Sequence, residues 1–236
     1  MKTGTLQLIP TNLSDPFAPS QILPADVIKV ALGLNHFVAE NAKTARAFLK
    51  ALGIARPLQE VNIAELNEHT PASALQELIK PLLAGHDLGL VSEAGAPGVA
   101  DPGAELVALA HRHDIPVMPL VGPSSILLGL MASGLNGQRF AFHGYLPQDK
   151  AQRVKSIQEM ERESRQRRMT QLFIETPYRN QPLLDDLVAT LSSNTRLCVA
   201  SNLTGASQDI QMRRVADWRK HASGLQKTPA LFLFLA

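Results

Sequence analysis

The residues that could do chemistry lie in two short blocks where apolar runs end. The first is Leu90-Val-Ser-Glu-Ala-Gly-Ala-Pro-Gly-Val-Ala-Asp-Pro-Gly103, an apolar strand running into a loop of small residues and then a helix capped by Asp101-Pro102. Its chemistry would be that of the backbone. Small residues at the carboxyl end of a strand let a ligand lie against main-chain amides and carbonyls, and in open α/β sheets that edge is where ligands bind. The second block is Leu120-Val-Gly-Pro-Ser-Ser-Ile126, again strand end, turn and helix start, with Ser124 placed to cap and Ser125 in the first turn. Two adjacent loops of this kind suggest a nucleoside pocket. Taken singly, each block is also an ordinary turn and each serine an ordinary cap.

Other chemistries lose their support. The sequence has no glycine-rich phosphate loop ending in Lys-Ser/Thr, no G-x-G-x-x-G, no H-E-x-x-H and no Cys-x-x-Cys. Its seven histidines are scattered, and the close pair, His111 and His113, falls at a helix end where a positive charge is favourable, so no metal is expected. The single cysteine, Cys198, sits in the apolar run Arg196-Leu-Cys-Val-Ala200 and reads as a small buried hydrophobe.

The elements that must position these loops follow from hydrophobic patterning. Short runs of Val, Leu, Ile and Phe alternate with segments of helical period, which is the pattern of an α/β chain with a largely buried sheet. In the first half, strands are expected near Leu6 to Ile9, Phe37 to Ala39, Leu88 to Val91 and Val117 to Leu120. A helix opening at Thr70-Pro71 carries the stripe Leu75, Leu78, Ile79, Leu82 and Leu83. After the Asn136-Gly137 turn, strands near Phe140 to Gly144, Leu172 to Glu175, Leu197 to Ser201, Asp209 to Arg213 and Leu231 to Leu235 enclose two helices. This shift of texture predicts two domains, 1–137 and 138–236, with ligands between the halves. Asp149 to Arg168 mixes Lys150, Arg153, Lys155, Arg162, Arg165, Arg167 and Arg168 with Glu159, Glu161 and Glu163. It reads as a solvated helix face with ion pairs, or as a phosphate-contacting surface.

Composition sets the outer bounds. With 236 residues and 45% hydrophobic content the chain can bury a real core, and 23 Lys+Arg against 21 Asp+Glu make any polyanion site a local patch. The start is too short and polar for a signal segment, and no apolar stretch nears the ~20 residues that cross a bilayer. A cytoplasmic protein is expected.

The two blocks carry a family resemblance. Val-Ser-Glu-Ala-Gly-Ala-Pro and Ala-Asp-Pro-Gly are similar to the Ser-Asp-Ala-Gly-Thr-Pro and Ser-Asp-Pro-Gly elements of the ribosomal small-subunit 2'-O-methyltransferase I family, a branch of the tetrapyrrole methylases. The similarity runs on through Gly122-Pro-Ser-Ser125, Arg139-Phe-Ala-Phe-His-Gly-Tyr-Leu-Pro147 and Phe173-Ile-Glu-Thr-Pro-Tyr-Arg179, covering most of residues 85 to 192. Gly4-Thr-Leu6 and Asn12-Leu-Ser-Asp15 resemble the family's opening strand and loop, in a shorter form without its Thr-Pro-Ile-Gly centre. Ala39-Glu-Asn-Ala-Lys-Thr-Ala-Arg46 matches an Ala-Glu-Asp-Thr-Arg element in part, with Asn41 in place of a carboxylate. Ser201-Asn-Leu-Thr-Gly205 stands where the family has Glu-Leu-Thr-Lys, so Asn202 and Gly205 replace both ionisable members.

The resemblance implies two α/β domains, the first mainly a parallel sheet with helices and the second mixed, with S-adenosylmethionine in the cleft between them. It also implies a homodimer and ribosomal RNA or the small ribosomal subunit as partner. Pro10, Ala94, Gly95, Ala96 and Val99 would face the donor from the first domain, Ser124 and Ser125 would approach its amino-acid part or ribose, and Tyr145, Leu203, Thr204 and Ala230 would close it from the second. Methyl transfer is an in-line displacement that rests on positioning and exclusion of water and asks for no metal. A ribose hydroxyl still wants a base or a cation near its oxygen. With the family's Glu and Lys gone, the candidates are Arg179, Glu40, Lys43, Arg46 and Glu93, each also an ordinary surface or packing ion. Three readings stay open: a ribose methyltransferase of ribosomal RNA, a methyltransferase with another acceptor (a tetrapyrrole, a protein residue or a different RNA position), and a donor-binding protein that has lost catalysis.

Overall fold

Short, mostly apolar runs bounded by small or polar residues are long enough for a strand and too short for a free-standing helix, and they form the centre of the first sheet. The computed structural model of the chain describes residues 2–14, 18–221 and 224–236. In chain order its first part holds β1 (Leu6–Ile9), α1 (Ala25–Gly33), β2 (His36–Ala39), α2 (Ala42–Ala51), β3 (Asn62–Glu65), α3 (Leu75–Leu78), α4 (Lys80–Leu83), β4 (Leu88–Val91), α5 (Gly103–Arg112) and β5 (Val117–Pro119). The strands lie in the order β3-β2-β4-β1-β5, all parallel. Ile9 and Ala39 both pair with Val91, so the carboxyl ends of β1, β2 and β4 align. Leu6, Val38, Leu88 and Leu90 pack on one face with α5, while Ile9, Phe37, Ala39 and Val91 pack on the other with α2. A sheet covered on both faces is why β4 reads as an unbroken apolar run. Within it Gly89 has no space for a side chain, since a Cβ there would meet Ile9 and Phe37 at 2.8 Å.

Two expectations are corrected here. The stripe from Leu75 to Leu83 is two short helices broken at Ile79, because Pro81 has no N–H for the carbonyl of Glu77. The exposed strand β3 was not expected, since Asn62-Ile-Ala-Glu65 lacks an apolar run.

The second part holds α6 (Ser125–Ser133), β6 (Phe140–Tyr145), α7 (Lys150–Arg167), β7 (Thr170–Glu175), α8 (Asn180–Thr190), β8 (Arg196–Ser201), β9 (Asp209–Arg214), α9 (Val215–His221) and β10 (Ala230–Leu235). Its sheet runs β6-β7-β10-β8-β9, with β6 parallel to β7 and the other pairs antiparallel. Phe173, Phe232, Phe234, Leu197 and Val199 face α7, α8 and α9 in one core. On the other face α6 lies close to β10, where a Cβ on Gly129 would come within 2.3 Å of Leu231. Where two helices were expected between these strands there are three among the described residues: α9 is only seven residues long, and its buried Trp218 donates from Nε1 to the Leu197 carbonyl at 2.9 Å. The chain divides by contacts into 1–124 and 125–236. The Asn136-Gly137 turn lies one helix further on, because α6 packs on the second sheet.

Candidate functional site

The first edge is built from backbone held in unusual conformations. After β4 the chain reverses at Gly95 (φ 71°), Gly98 (φ 77°) and Ala100 (φ 54°), the region glycine enters freely and alanine only at a cost. The loop is tied down by its neighbours. Thr11 N–H donates to the Gly95 carbonyl at 2.9 Å, Ser92 Oγ donates to the same carbonyl at 2.8 Å, and Thr11 Oγ1 donates to the Ser92 carbonyl at 3.2 Å. Asp101 Oδ1 accepts from the N–H of Gly98 at 3.1 Å and of Gly103 at 2.7 Å, closing the loop at the start of α5, whose N-cap is Pro102 where Asp101 was expected. The loops after β1 and β5 join it: a Cβ on Gly95 would meet Leu13 at 2.9 Å, and one on Gly122 would meet the Pro10 ring at 2.1 Å. Pro10, Ala94, Gly95, Ala96 and Val99 are therefore gathered at one edge of the first sheet, with Ser124 ending the same stretch and Ser125 opening α6. Asp15 lies outside the described residues.

Beside this loop is a cavity of ≈ 540 Å³ at the carboxyl ends of β1, β2 and β4, lined among others by Thr11, Ala39, Thr44, Phe48, Ser92 and Glu93. Thr44 Oγ1 is bonded to Glu93 Oε1. Glu40, one residue beyond β2, has its pKa raised, first by loss of water around its carboxylate and then by the negative charges of Asp101, Glu93 and Glu68. Glu40 and Glu93 are thus brought together. Lys43 and Arg46 stand on α2, where the Lys43 amide is capped by Asn41 Oδ1 at 2.8 Å and Arg46 Nη1 reaches back to the Ala42 carbonyl at 3.5 Å. Thr11, Thr44 and Ser92 are site residues that sequence reasoning missed. Thr11 and Ser92 lie just beyond β1 and β4, the one signal that could have indicated them, whereas Thr44 lies in the first turn of α2 and carries none.

In the second part the remaining candidates collect at one end of its sheet. Ala230 pairs with both Glu175 and Ser201, and Tyr145 with Ile174, past a register shift in β6. Arg179 is engaged: its Nη2 lies 2.7 Å from Oε2 of the buried Glu175 and donates to the Leu146 carbonyl at 3.3 Å. The turn after β8 is strained, with Asn202 at φ 50° and the β-branched Thr204 at φ 65°. Thr204 N–H donates to Gln208 Oε1 at 2.9 Å, while its Oγ1 is buried with no hydrogen-bond partner. The two departures from the family pattern are coupled: Asn202 Nδ2 donates to Ser207 Oγ at 2.7 Å, and a Cβ at Gly205 would collide with that amide at 2.4 Å. A lysine at 205 would displace Asn202.

Among the described residues, no group of three His, Cys, Asp or Glu is arranged to hold a metal ion, and no helix is long and apolar enough to cross a membrane. Cys198 is buried, as expected of it.

No family model matches the chain. Among curated proteins it is similar to the ribosomal RNA small subunit methyltransferase I of Halalkalibacterium halodurans, 29% identical over 223 residues, which are 93% of this chain and 72% of that protein. It is 33% identical to the protein of the same name from Xylella fastidiosa over 204 residues, 85% of this chain and 69% of that protein. The Synechocystis protein of that name is also 33% identical, over 206 residues, 85% and 67% of the two chains. Among solved structures, the methyltransferase CobJ matches with a TM-score of 0.62 at 15% identity, over 100% of this chain and 94% of its own. The uroporphyrin-III-C-methyltransferase of Thermus thermophilus matches with a TM-score of 0.56 at 18% identity, over 100% and 93%. The fold is that of the tetrapyrrole methylases.

Proposed function

The chain belongs to the ribosomal RNA small subunit methyltransferase I family, and from that premise we propose that it moves a methyl group from S-adenosylmethionine to a ribose hydroxyl of small-subunit ribosomal RNA. The observation that carries the reading is the tied loop after β4, whose left-handed glycines leave main-chain groups where a ligand can lie against them. The residues present fit the donor. Pro10, Ala94, Gly95, Ala96 and Val99 offer backbone and small side chains, and the unpartnered Thr204 hydroxyl is a buried polar group that a bound ligand would satisfy. Ser124, Ser125, Tyr145, Leu203 and Ala230 are proposed to complete the donor contacts. When bound, the donor supplies a methyl group on a sulfonium carbon, open to in-line attack. The chain's part is to orient that carbon, exclude water and accept the hydroxyl proton. Of the five charged candidates, Glu40 has surroundings that favour taking a proton, with Glu93 beside it. By the same resemblance we place the protein in the cytoplasm as a homodimer.

The coupled Asn202 and Gly205 favour a second reading, a different acceptor within the same chemistry or a donor-binding protein without turnover. Titration with S-adenosylmethionine by calorimetry, followed by incubation with methyl-labelled donor and unmodified small subunits, separates the readings. Saturable binding with label in RNA supports the first, binding without label supports the second, and no binding overturns both.

A further inference from the structure

The charge of the chain is nearly balanced, but its two parts are not. Residues 1–124 hold eight Lys and Arg against twelve Asp and Glu, whereas residues 125–236 hold fifteen against nine. Much of the excess collects around the exposed loop Ser192-Ser193-Asn194 between α8 and β8. Three arginines from three different elements each hold one of its residues. Arg165 Nη2 donates to Ser192 Oγ at 3.0 Å, Arg219 Nη1 to Ser193 Oγ at 2.9 Å, and Arg214 Nη1 to Asn194 Oδ1 at 3.0 Å. Arg219 is fixed further by the carbonyls of Val188 and Leu191 at 3.2 and 3.1 Å. These hydrogen-bond partners are neutral and orient the guanidiniums, and Arg165 also has an ion pair, with Glu161. Glu161 is engaged by the Ser192 N–H and hydroxyl and by Thr195, and pairs with Arg165 at 3.8 Å. Glu163 pairs with Arg167 at 3.5 Å, and Asp217 lies in the first turn of α9.

Arg196, which pairs across the ladder with Arg214, extends the cationic rim inward. Arg168 and Arg139, where β7 and β6 begin, carry it to the other edge of the sheet, about 19 Å away at the usual strand spacing. Oriented guanidiniums with free N–H groups suit phosphate oxygens. This rim is not the donor edge: Arg196 and Ser201 lie five residues apart on β8, roughly 17 Å.

We infer that the arginine ring around Ser192-Ser193-Asn194, with the rim to Arg168 and Arg139, is a docking surface for the phosphodiester backbone of RNA. It holds the substrate away from the reacting hydroxyl. The inference rests on RNA being the acceptor's carrier and goes beyond it in naming where that RNA is gripped.

The test uses the full chain, a fluorescent fragment of small-subunit ribosomal RNA and two variants. R165Q/R214Q/R219Q removes the ring, while R139Q/R168Q leaves the loop contacts intact and so guards against misfolding of the first. Each is expected to bind RNA about tenfold more weakly near 0.1 M salt, with the slope of log K against log salt shallower by roughly 2 to 3, and with calorimetric binding of S-adenosylmethionine unchanged. Unchanged RNA affinity and salt slope in both variants overturn the surface, even if the wild type methylates RNA. Retention on whole small subunits without binding of the naked fragment also overturns it, in favour of a ribosomal protein as the contact. RNA binding lost in the variants while the wild type transfers no methyl group leaves the surface standing and sinks the proposed activity instead.

Discussion

Thr204 departs from ordinary chemistry twice, as a β-branched residue at positive φ and as a buried hydroxyl without a partner. Leaving such a group unpaired costs about 1–3 kcal/mol. Thr204→Val, which keeps the branching and removes the hydroxyl, is expected to leave the melting temperature unchanged or raised while weakening donor affinity in calorimetry. Equal donor affinity would remove Thr204 from the site. Glu40 works in the opposite sense, its raised pKa reflecting a carboxylate that is uncomfortable when ionised. The folded state therefore binds this proton more readily than the unfolded state, and stability falls as pH rises from the ordinary value of 4.5 through the raised one. Glu40→Gln is expected to raise the melting temperature at pH 7 to 8 with no gain below the ordinary value, and to lower kcat with loss of the acidic limb of the pH–rate profile. Cys198 is held at the other extreme, its thiol pushed up to about 12 by burial. Alkylation at pH 8 should proceed only after unfolding in urea, and rapid labelling of native protein would contradict the buried position.

At the scale of elements, α7 was legible as a charged helix but not in which of its charges face water. Arg153 lies against α8, with Nε 2.8 Å and Nη2 2.6 Å from Asp186 Oδ2, and both residues are buried. No periodicity marks one arginine among the six cations of α7 as the buried one, because its partner lies 33 positions away. Removing one member of a buried pair strands the other charge, so Asp186→Ala is expected to cost about 3–5 kcal/mol in urea denaturation. A loss under 1 kcal/mol would mean that water reaches the pair. The strands β1 and β4 were readable to the residue, since a doubly covered sheet draws on short, mostly apolar runs bounded by turn residues. The exposed β3 and the seven-residue α9 were not, because neither needs a pattern of its own once a neighbouring strand or core fixes it.

For the whole molecule, the loops after β4 and β5 stood out because positive φ and close approach demand small residues there. Thr11 and Ser92, which tie the first loop, and Thr44 on α2, hydrogen-bonded to Glu93, did not, since they become neighbours only when the strands align and α2 packs beside them. Net charge hid the contrast between an acidic first part and a basic second part, which shows only once the chain is divided. That contrast fits the proposed enzyme, whose basic second part is where a polyanion would be held. The most direct test of that account is to incubate the purified protein with methyl-labelled S-adenosylmethionine and small ribosomal subunits lacking the modification, then digest the RNA to nucleosides for mass spectrometry. The account predicts the label on a ribose oxygen of small-subunit RNA. Label on a base, or saturable donor binding with no label in RNA, would contradict it.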